Sequence, residues 1–375
     1  MRRIYLDYNA STPIDPAVAN AMRPFLDDHY GNPSSGHWAS TGAKAGIETA
    51  RGQTAALFGC ESDEIVFTSG GSEANNFALK GACFTLRAKG DHIVTTAIEH
   101  PAIIEPCRFL ERLGVNVTYL PVDGAGLIEP DDLRKAITSR TVLVSVMHAN
   151  NEVGTIQPIE DIARIAHEHG VLFHTDAAQS AGKVATDVNA LGVDLLSVAG
   201  HKLYAPKGVG ALFVRRGVSL EPLIHGAGHE GGRRAGTESA LLAVGLGKAC
   251  ELARDLSPMD RVCELRDHFW RELRERFGDR VALNGHPVHR LPNTLNVSFV
   301  GRIGAEVLAR LDGVAASTGS ACHSGRVTLS PVLEAMGVAP HVGMGAIRFS
   351  LGRGTTRDEI DAVIEGLSDA LGAAN

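Results

Sequence analysis

The segment Val198–Gly210, VAGHKLYAPKGVG, sets Lys202 just past an apolar run rich in Val and Leu. A lysine at the buried end of a strand is costly while it carries its charge. Burial lowers its pKa and makes the amine a nucleophile toward aldehydes, so Lys202 suits a Schiff base. Taken alone, the better reading is a lysine whose stem lies on apolar surface while its head reaches water. Lys207 is a rival, but it follows a proline in the turn-like APKG and is expected to be exposed.

A second apolar run, VLFHTDAAQS, ends in Asp176. A carboxylate there either caps a following helix or pairs with a buried cation, and capping is the better reading in isolation. FTSGGSEANN joins a strand to a helix through Gly70, Gly71 and Ser72. Such a turn offers backbone N–H groups and a hydroxyl to a phosphate, though many strand-to-helix turns are glycine-rich. AIEHPAI places His100 beyond another strand end, where it could stack on a planar group or be an ordinary loop residue, and MHANNEVGTIQP places Asn151 at a further one, in reach of a cofactor's ring substituent or of a carboxylate. Each signal is ambiguous, but all fall at strand ends. A phosphate turn, a stacking histidine, a carboxylate for a pyridinium nitrogen and an aldehyde-binding lysine together describe a pyridoxal 5'-phosphate site.

STGSACHSG, residues 317–325, surrounds Cys322 with small and polar residues, a stretch that cannot pack a core. Of the six cysteines, the other five (Cys60, Cys83, Cys107, Cys250 and Cys263) read as structural, with apolar or helical contexts for Cys83 and Cys250. No CxxC pair or His/Cys zinc spacing occurs, so no metal site is expected.

These residues need strands to carry them. From about residue 60 to 215 short β-branched runs (EIVFTSG, HIVTTAIEH, NVTYLPV, TVLVSVMHANN, VLFHTDAAQ, VDLLSVAGH, GALFV) alternate with amphipathic helices such as PIEDIARIAHEHG, closed by glycine. The alternation predicts an α/β fold with a mostly parallel sheet covered on both faces, its ligands at the carboxyl ends of the strands. Near Leu256–Pro258 the pattern changes to long helices and a few strands, a smaller α+β domain. The chain of 375 residues is long for one core, and the expected division is a large domain over 15–256 and a small one over 1–14 and 257–375, with the cysteine loop at about 315–330. The N-terminal strand RIYLDYNAS is expected near the small domain or near the cleft. Hydrophobic content of 44%, charged content of 21% and a net charge of −7 suit a soluble globular protein and speak against a nucleic-acid surface. No apolar run approaches a membrane span, and MRRIYLDYNAST lacks the pattern of a signal peptide, so a cytoplasmic protein is expected.

The chain resembles the cysteine desulfurases, class V members of the fold type I pyridoxal-phosphate transferases. YLDYNASTPIDP, FGNPSSGHWAS, EIVFTSGGSEANN, EHPAI, HTDAAQSAGK, GHKLYAPKGVGAL, HGAGHEGGRRAGTES, GSACHSG and IRFSLGR match that family in order along nearly the whole chain. The resemblance implies a seven-stranded sheet and specific roles. Lys202 would hold the cofactor and, once displaced by the substrate cysteine, take its Cα proton. Asp176 would pair with the pyridinium, Gln179 with the ring hydroxyl, and Gly71, Ser72 and His201 with the phosphate. Thr237 would reach the phosphate of another subunit, implying a homodimer. Arg348 would clamp the substrate carboxylate with help from Asn151. His100 would stack on the ring and help proton transfer. Cys322 would take the sulfur as a persulfide, releasing alanine, and a loop of glycine and serine would let it travel between cleft and acceptor. His323 could favour the thiolate, or be merely a solvated loop residue.

ASTGSACHSG is similar to the long-loop group of the family (group I) rather than the group with an HHC motif. That favours direct delivery to several sulfur acceptors, such as an iron–sulfur scaffold or a thiolation enzyme. One departure is Ala199, where relatives carry serine, which removes a hydroxyl expected at the phosphate. Selenocysteine lyases share the scaffold and an ACHS sequence followed by SPVL, as here, so they are the chemical alternative. A cofactor-bearing sulfur carrier without turnover is the alternative of another class.

Overall fold

The computed structural model describes residues 3–318, 322–323 and 326–372, with backbone alone at 322–323 and 326–327. The strands are β1 (Ile4–Tyr5), β2 (Ile65–Thr68), β3 (His92–Thr96), β4 (Asn116–Leu120), β5 (Thr141–Ser145), β6 (Leu172–Asp176), β7 (Leu195–Ala199), β8 (Gly210–Val214), β9 (Val281–Asn284), β10 (Thr294–Phe299), β11 (Val314–Ala315), β12 (Ser317–Thr318), β13 (Cys322–His323), β14 (Arg326–Val327) and β15 (Ala346–Ser350).

TVLVS of β5 and LLSVA of β7 are buried at every position, the signature of strands covered on both faces. They belong to a seven-stranded sheet of order β2-β8-β7-β6-β5-β3-β4. All pairings from β4 across to β7 are parallel, and β8 runs antiparallel to both β7 and β2. The mostly parallel sheet expected from the sequence is present, with β8 as its reversed strand. Alternate side chains feed opposite layers. Ala211 and Phe213 pack with the helices Thr41–Phe58, Ile159–Glu168 and Ala240–Ala253. Leu212 and Val214 pack with Gly71–Thr85 and Pro101–Glu111. Helix Ile159–Glu168 shows how the sequence dictates this: Ile159, Ile162, Ala163, Ile165 and Ala166 form its buried face, and Gly170, at φ +68°, ends it.

A second core lies where the helices Ser257–Phe277 and Arg357–Leu371 cover a four-stranded sheet of order β12-β15-β10-β9. Phe269 and Phe349 meet there with ring centroids 5.0 Å apart. Truncating such a ring to alanine costs about 3–5 kcal/mol. The N-terminus serves both cores. β1 pairs with β11, and Ile4 and Leu6 enter the second core. The chain then crosses back, with Asn9 N–H on Ser350 Oγ at 2.9 Å and Thr12 N–H on the His201 carbonyl at 2.8 Å.

After β3 the chain steps outward to β4, then returns to the other side of β3 as β5. That reversal opens a crevice beyond the carboxyl ends of the strands, where α/β sheets bind ligands.

Candidate active site

Each strand ending at the crevice delivers one functional group. β3 leads to His100, β5 to Asn151, β6 ends at Asp176, and β7 leads through a single helical turn, Gly200–Lys202, to the lysine. With Gly71, Ser72, Gln179, His201 and Arg348 these residues line one cavity of about 710 Å³. Lys207 lines its rim but is exposed.

The turn after β7 is held tightly. Tyr204 sits at φ +62°, a left-handed conformation that costs a non-glycine residue about 1–2 kcal/mol. Its N–H donates to Thr12 Oγ1 at 2.8 Å, and its hydroxyl accepts from Arg353 N–H at 2.8 Å. Lys202 is fixed from the other side, its Nζ donating to the Asn9 carbonyl at 2.6 Å. Burial, and then the nearby Arg348 guanidinium, bring the Lys202 amine down to about 8, against the pull of Asp176 and Asp7. Burial alone would disfavour the charged amine; the added cation makes the neutral, nucleophilic form accessible near neutral pH.

Asp176 is buried, with Oδ2 accepting from Asn75 Nδ2 at 2.7 Å and Oδ1 from Ala178 N–H at 2.8 Å. The capping role and the buried carboxylate coexist: one oxygen closes the turn, and each keeps a lone pair for a cation in the cavity. His100 caps helix Pro101–Glu111, its Nδ1 accepting from Ala102 N–H at 3.1 Å. An accepting Nδ1 leaves the ring proton on Nε2. Burial and the Lys202 cation outweigh Asp176 and hold the His100 pKa below its usual value, so the ring is neutral. Gln179 gives Nε2 to the Asn9 carbonyl at 3.0 Å.

The phosphate end fits an anion. Helix Gly71–Thr85 begins with no side-chain cap, after Gly70 at φ +150°. A Cβ on Gly71 would stand 3.1 Å from the Ala199 Cβ, so the helix start abuts the end of β7. Ser11, Ser69 and Ser72 add hydroxyls to the lining. Glu73 in the first helical turn would repel a phosphate, but Arg234 binds it through Nε at 2.8 Å and Nη2 at 3.2 Å. His201 is pressed down to about 4 by burial and by Lys202, Lys207 and His100, and its Nδ1 lies 3.4 Å from Ser11 Oγ. An uncapped helix start, a buried carboxylate and a lysine of low pKa suit the phosphate, ring nitrogen and aldehyde of pyridoxal phosphate.

Arg348 comes from the second core. Its Nη1 donates to the Asn151 carbonyl at 2.9 Å and its Nη2 to Asp7 Oδ1 at 2.8 Å, while its buried Nε has no partner among the described residues.

One expected residue stands apart. Thr237 is exposed and does not line the cavity. The Cys322 side chain lies outside the described residues, as does that of His323. Their backbone pairs with Arg326–Val327 in a short hairpin, where the sequence reads as loop. The sequence reading assigned no role to Asn9, Asp7 or Asn75. Asn9 is fully buried and hydrogen-bonds Lys202, Gln179, Lys183, Asn293 and Thr294. Its signal was DYNAS, residues 7–11, where polar side chains follow directly on the apolar IYL.

The chain matches known proteins over nearly its whole length. The family model for aminotransferase class-V matches residues 4–363. A cysteine desulfurase IscS of Dictyoglomus turgidum is 50% identical over 370 residues, covering 97% of this chain and 93% of that protein. Among solved structures, a NifS-like protein superposes with a TM-score of 0.92 at 38% identity, over 98% of this chain and 99% of that one. SspA in complex with cysteine gives 0.84 at 39% identity, over 93% of this chain and 98% of that one.

Proposed function

This chain belongs to the class-V aminotransferase family, and from that premise we propose which of its residues carry out each part of its reaction. The protein is a cysteine desulfurase: it converts L-cysteine to L-alanine, passing on the sulfur, with pyridoxal phosphate as cofactor. The observation that carries the assignment is the convergence of Lys202, Asp176, His100 and Arg348 on one cavity from four different elements.

Lys202 would hold the cofactor through Nζ, Asp176 would take its ring nitrogen and Gln179 its ring oxygen. The helix start at Gly71 and Ser72, with His201, would take the phosphate, and Ser11 or Ser69, both on the cavity lining, would supply the hydroxyl that Ala199 lacks. The bound cofactor supplies an electron sink for the pair left when the substrate's Cα proton departs. Arg348 and Asn151 hold the substrate carboxylate, which places Cα toward Lys202. Lys202 Nζ would accept the Cα proton and return a proton to Cα once the sulfur has left; its low pKa lets it do so near neutral pH. His100, neutral with its proton on Nε2, would stack on the ring and offer that N–H as a hydrogen-bond donor on the cavity side. The Cys322 thiolate attacks the substrate sulfur: an S–S bond forms, the Cβ–S bond breaks, and its electron pair becomes the new C–H bond of alanine after protonation.

The partners are a second copy and a sulfur acceptor. A homodimer is supported by Thr237, exposed and away from its own cavity, and by Trp38 and Tyr30, exposed at 82% and 72%. The acceptor is an iron–sulfur scaffold or a thiolation enzyme. A cytoplasmic setting accords with the five described cysteines, all free thiols.

Borohydride reduction of the loaded protein, followed by peptide mass mapping, tests the core of this assignment. The cofactor is expected on Lys202, and no adduct is expected in Lys202→Ala; an adduct on Lys207 or Lys183 would overturn it.

A further inference from the structure

Lys183 follows Gln179 by four residues and is buried beneath the cavity, without lining it. Its Nζ donates to Gln179 Oε1 at 2.9 Å and to Asn9 Oδ1 at 3.2 Å. Both partners are neutral amides. Buried lysines are rare without a carboxylate, and a neutral amine has two N–H bonds, the number used here. Burial, with the Lys202 and Arg348 cations facing it, pushes its pKa well below that of an ordinary lysine.

A glutamine amide has a donor end and an acceptor end, and rotating it by half a turn exchanges them. Lys183 commits Oε1. The Nε2 end then gives one N–H to the Asn9 carbonyl at 3.0 Å and keeps the other. The reversed amide would set Oε1 against that carbonyl oxygen, acceptor against acceptor. Asn9 is fixed in the same way. Its Oδ1 takes Lys183 and Asn293 Nδ2, and its Nδ2 gives to Thr294 Oγ1. Its carbonyl also accepts from Lys202.

We propose that Lys183 is a positioning residue of the cofactor site, holding Gln179 with its N–H end toward the cavity so that the cofactor's ring oxygen meets a donor. This rests on the assignment of Gln179 to that oxygen. A donor there favours the anionic oxygen, which sets the pH at which the bound cofactor's visible absorption changes.

The test is a double-mutant cycle on the loaded enzyme: wild type, Lys183→Met, Gln179→Leu and the double variant. It reads the pH midpoint of the visible absorption and the dissociation constant of pyridoxal phosphate. Both single variants are expected to raise the midpoint and to weaken cofactor binding by about tenfold, the low end for loss of an orienting outer partner. The double variant is expected to go no further than Gln179→Leu. Additive shifts, or no shift in Lys183→Met beside a clear one in Gln179→Leu, would overturn the proposal. No shift in Gln179→Leu would instead remove the assignment of Gln179 itself. If Lys183→Met does not fold, Lys183→Gln decides: it keeps a neutral N–H donor, so a midpoint near wild type supports the role and one equal to Gln179→Leu overturns it.

Discussion

Arg348 Nη2 and Asp7 Oδ1 stand 2.8 Å apart, an ion pair joining the strand of the second core to the N-terminal crossing segment. The guanidinium assigned to the substrate carboxylate therefore already has a carboxylate partner, which Ser317 Oγ also holds at 2.9 Å. Substrate must share or displace that pair. Asp7→Asn keeps an acceptor for Nη2 and removes the competing charge. The KM for L-cysteine is expected to fall by about fivefold, the scale of removing a competing carboxylate worth about 1 kcal/mol. Steady-state kinetics checks this, and a higher KM would mean that Asp7 serves chiefly to align Arg348.

The amine of Lys202 gives a second prediction. Only the neutral amine attacks an aldehyde, and its pKa in the folded protein is about 8 rather than the 10.5 of an ordinary lysine. Covalent capture of pyridoxal phosphate by the apoprotein should accelerate with pH through a midpoint near 8. Asp7 raises that pKa, so Asp7→Asn should move the midpoint lower. Stopped-flow absorbance across pH 6–11 reads both, and a midpoint above 10 would show that burial does not activate the lysine.

Much of this site is legible in the sequence because parallel strands announce themselves. β5, β6 and β7 are apolar runs whose next polar residues must fall at the carboxyl edge, and Asp176 and Lys202 stand there. Asn9 was not legible as the hub, because its role comes from Asn293 and Lys183, 284 and 174 residues away. The sequence also could not say that Asp7 pairs with Arg348, across 341 residues. Local pattern carries strand ends and helix caps; contacts between the two cores depend on how the N-terminal segment threads between them. The hairpin at Cys322–His323 escaped for another reason: Gly319 and Gly325 stand on either side of it, glycine is depleted in strands, and only its pairing with Arg326–Val327 makes it a strand.

Two histidines outside the chemistry predict the acid limit of stability. His174 bridges Ser145 and Ser197, its ring nitrogens each 2.9 Å from a hydroxyl, and burial holds it down to about 3. Burial likewise holds His148 down to about 4. Both are neutral in the fold and protonate near 6.5 when unfolded, so the unfolded chain binds more protons below that value. Their contribution is complete above pH 6.5 and is lost as pH falls toward 4, each by about 1.4 kcal/mol per pH unit. Denaturant unfolding of the apoprotein between pH 7 and 4 should show that slope, and His148→Gln should flatten it by one proton's worth. An unchanged slope in the variant would mean that His148 does not take up a proton on unfolding.

The last prediction concerns the thiol. Cys322 is the one cysteine set among small polar residues, whereas Cys83, Cys107 and Cys250 are buried and their thiols pushed well up by burial, Cys83 and Cys250 to about 12, beyond reach of the thiolate form at neutral pH. Cys322→Ala should keep the cofactor and its absorbance, yet yield no protein persulfide and at least a hundredfold less alanine from L-cysteine, roughly the scale of losing a catalytic nucleophile or base. Parallel assays with L-selenocysteine separate the two chemistries that share this scaffold. Selenium is the better leaving centre, so a desulfurase lacking the thiol should still release alanine from selenocysteine while failing with cysteine. If the wild-type enzyme itself works only on selenocysteine, the substrate assignment falls, although Lys202, Asp176 and Arg348 would keep their places in the same reaction.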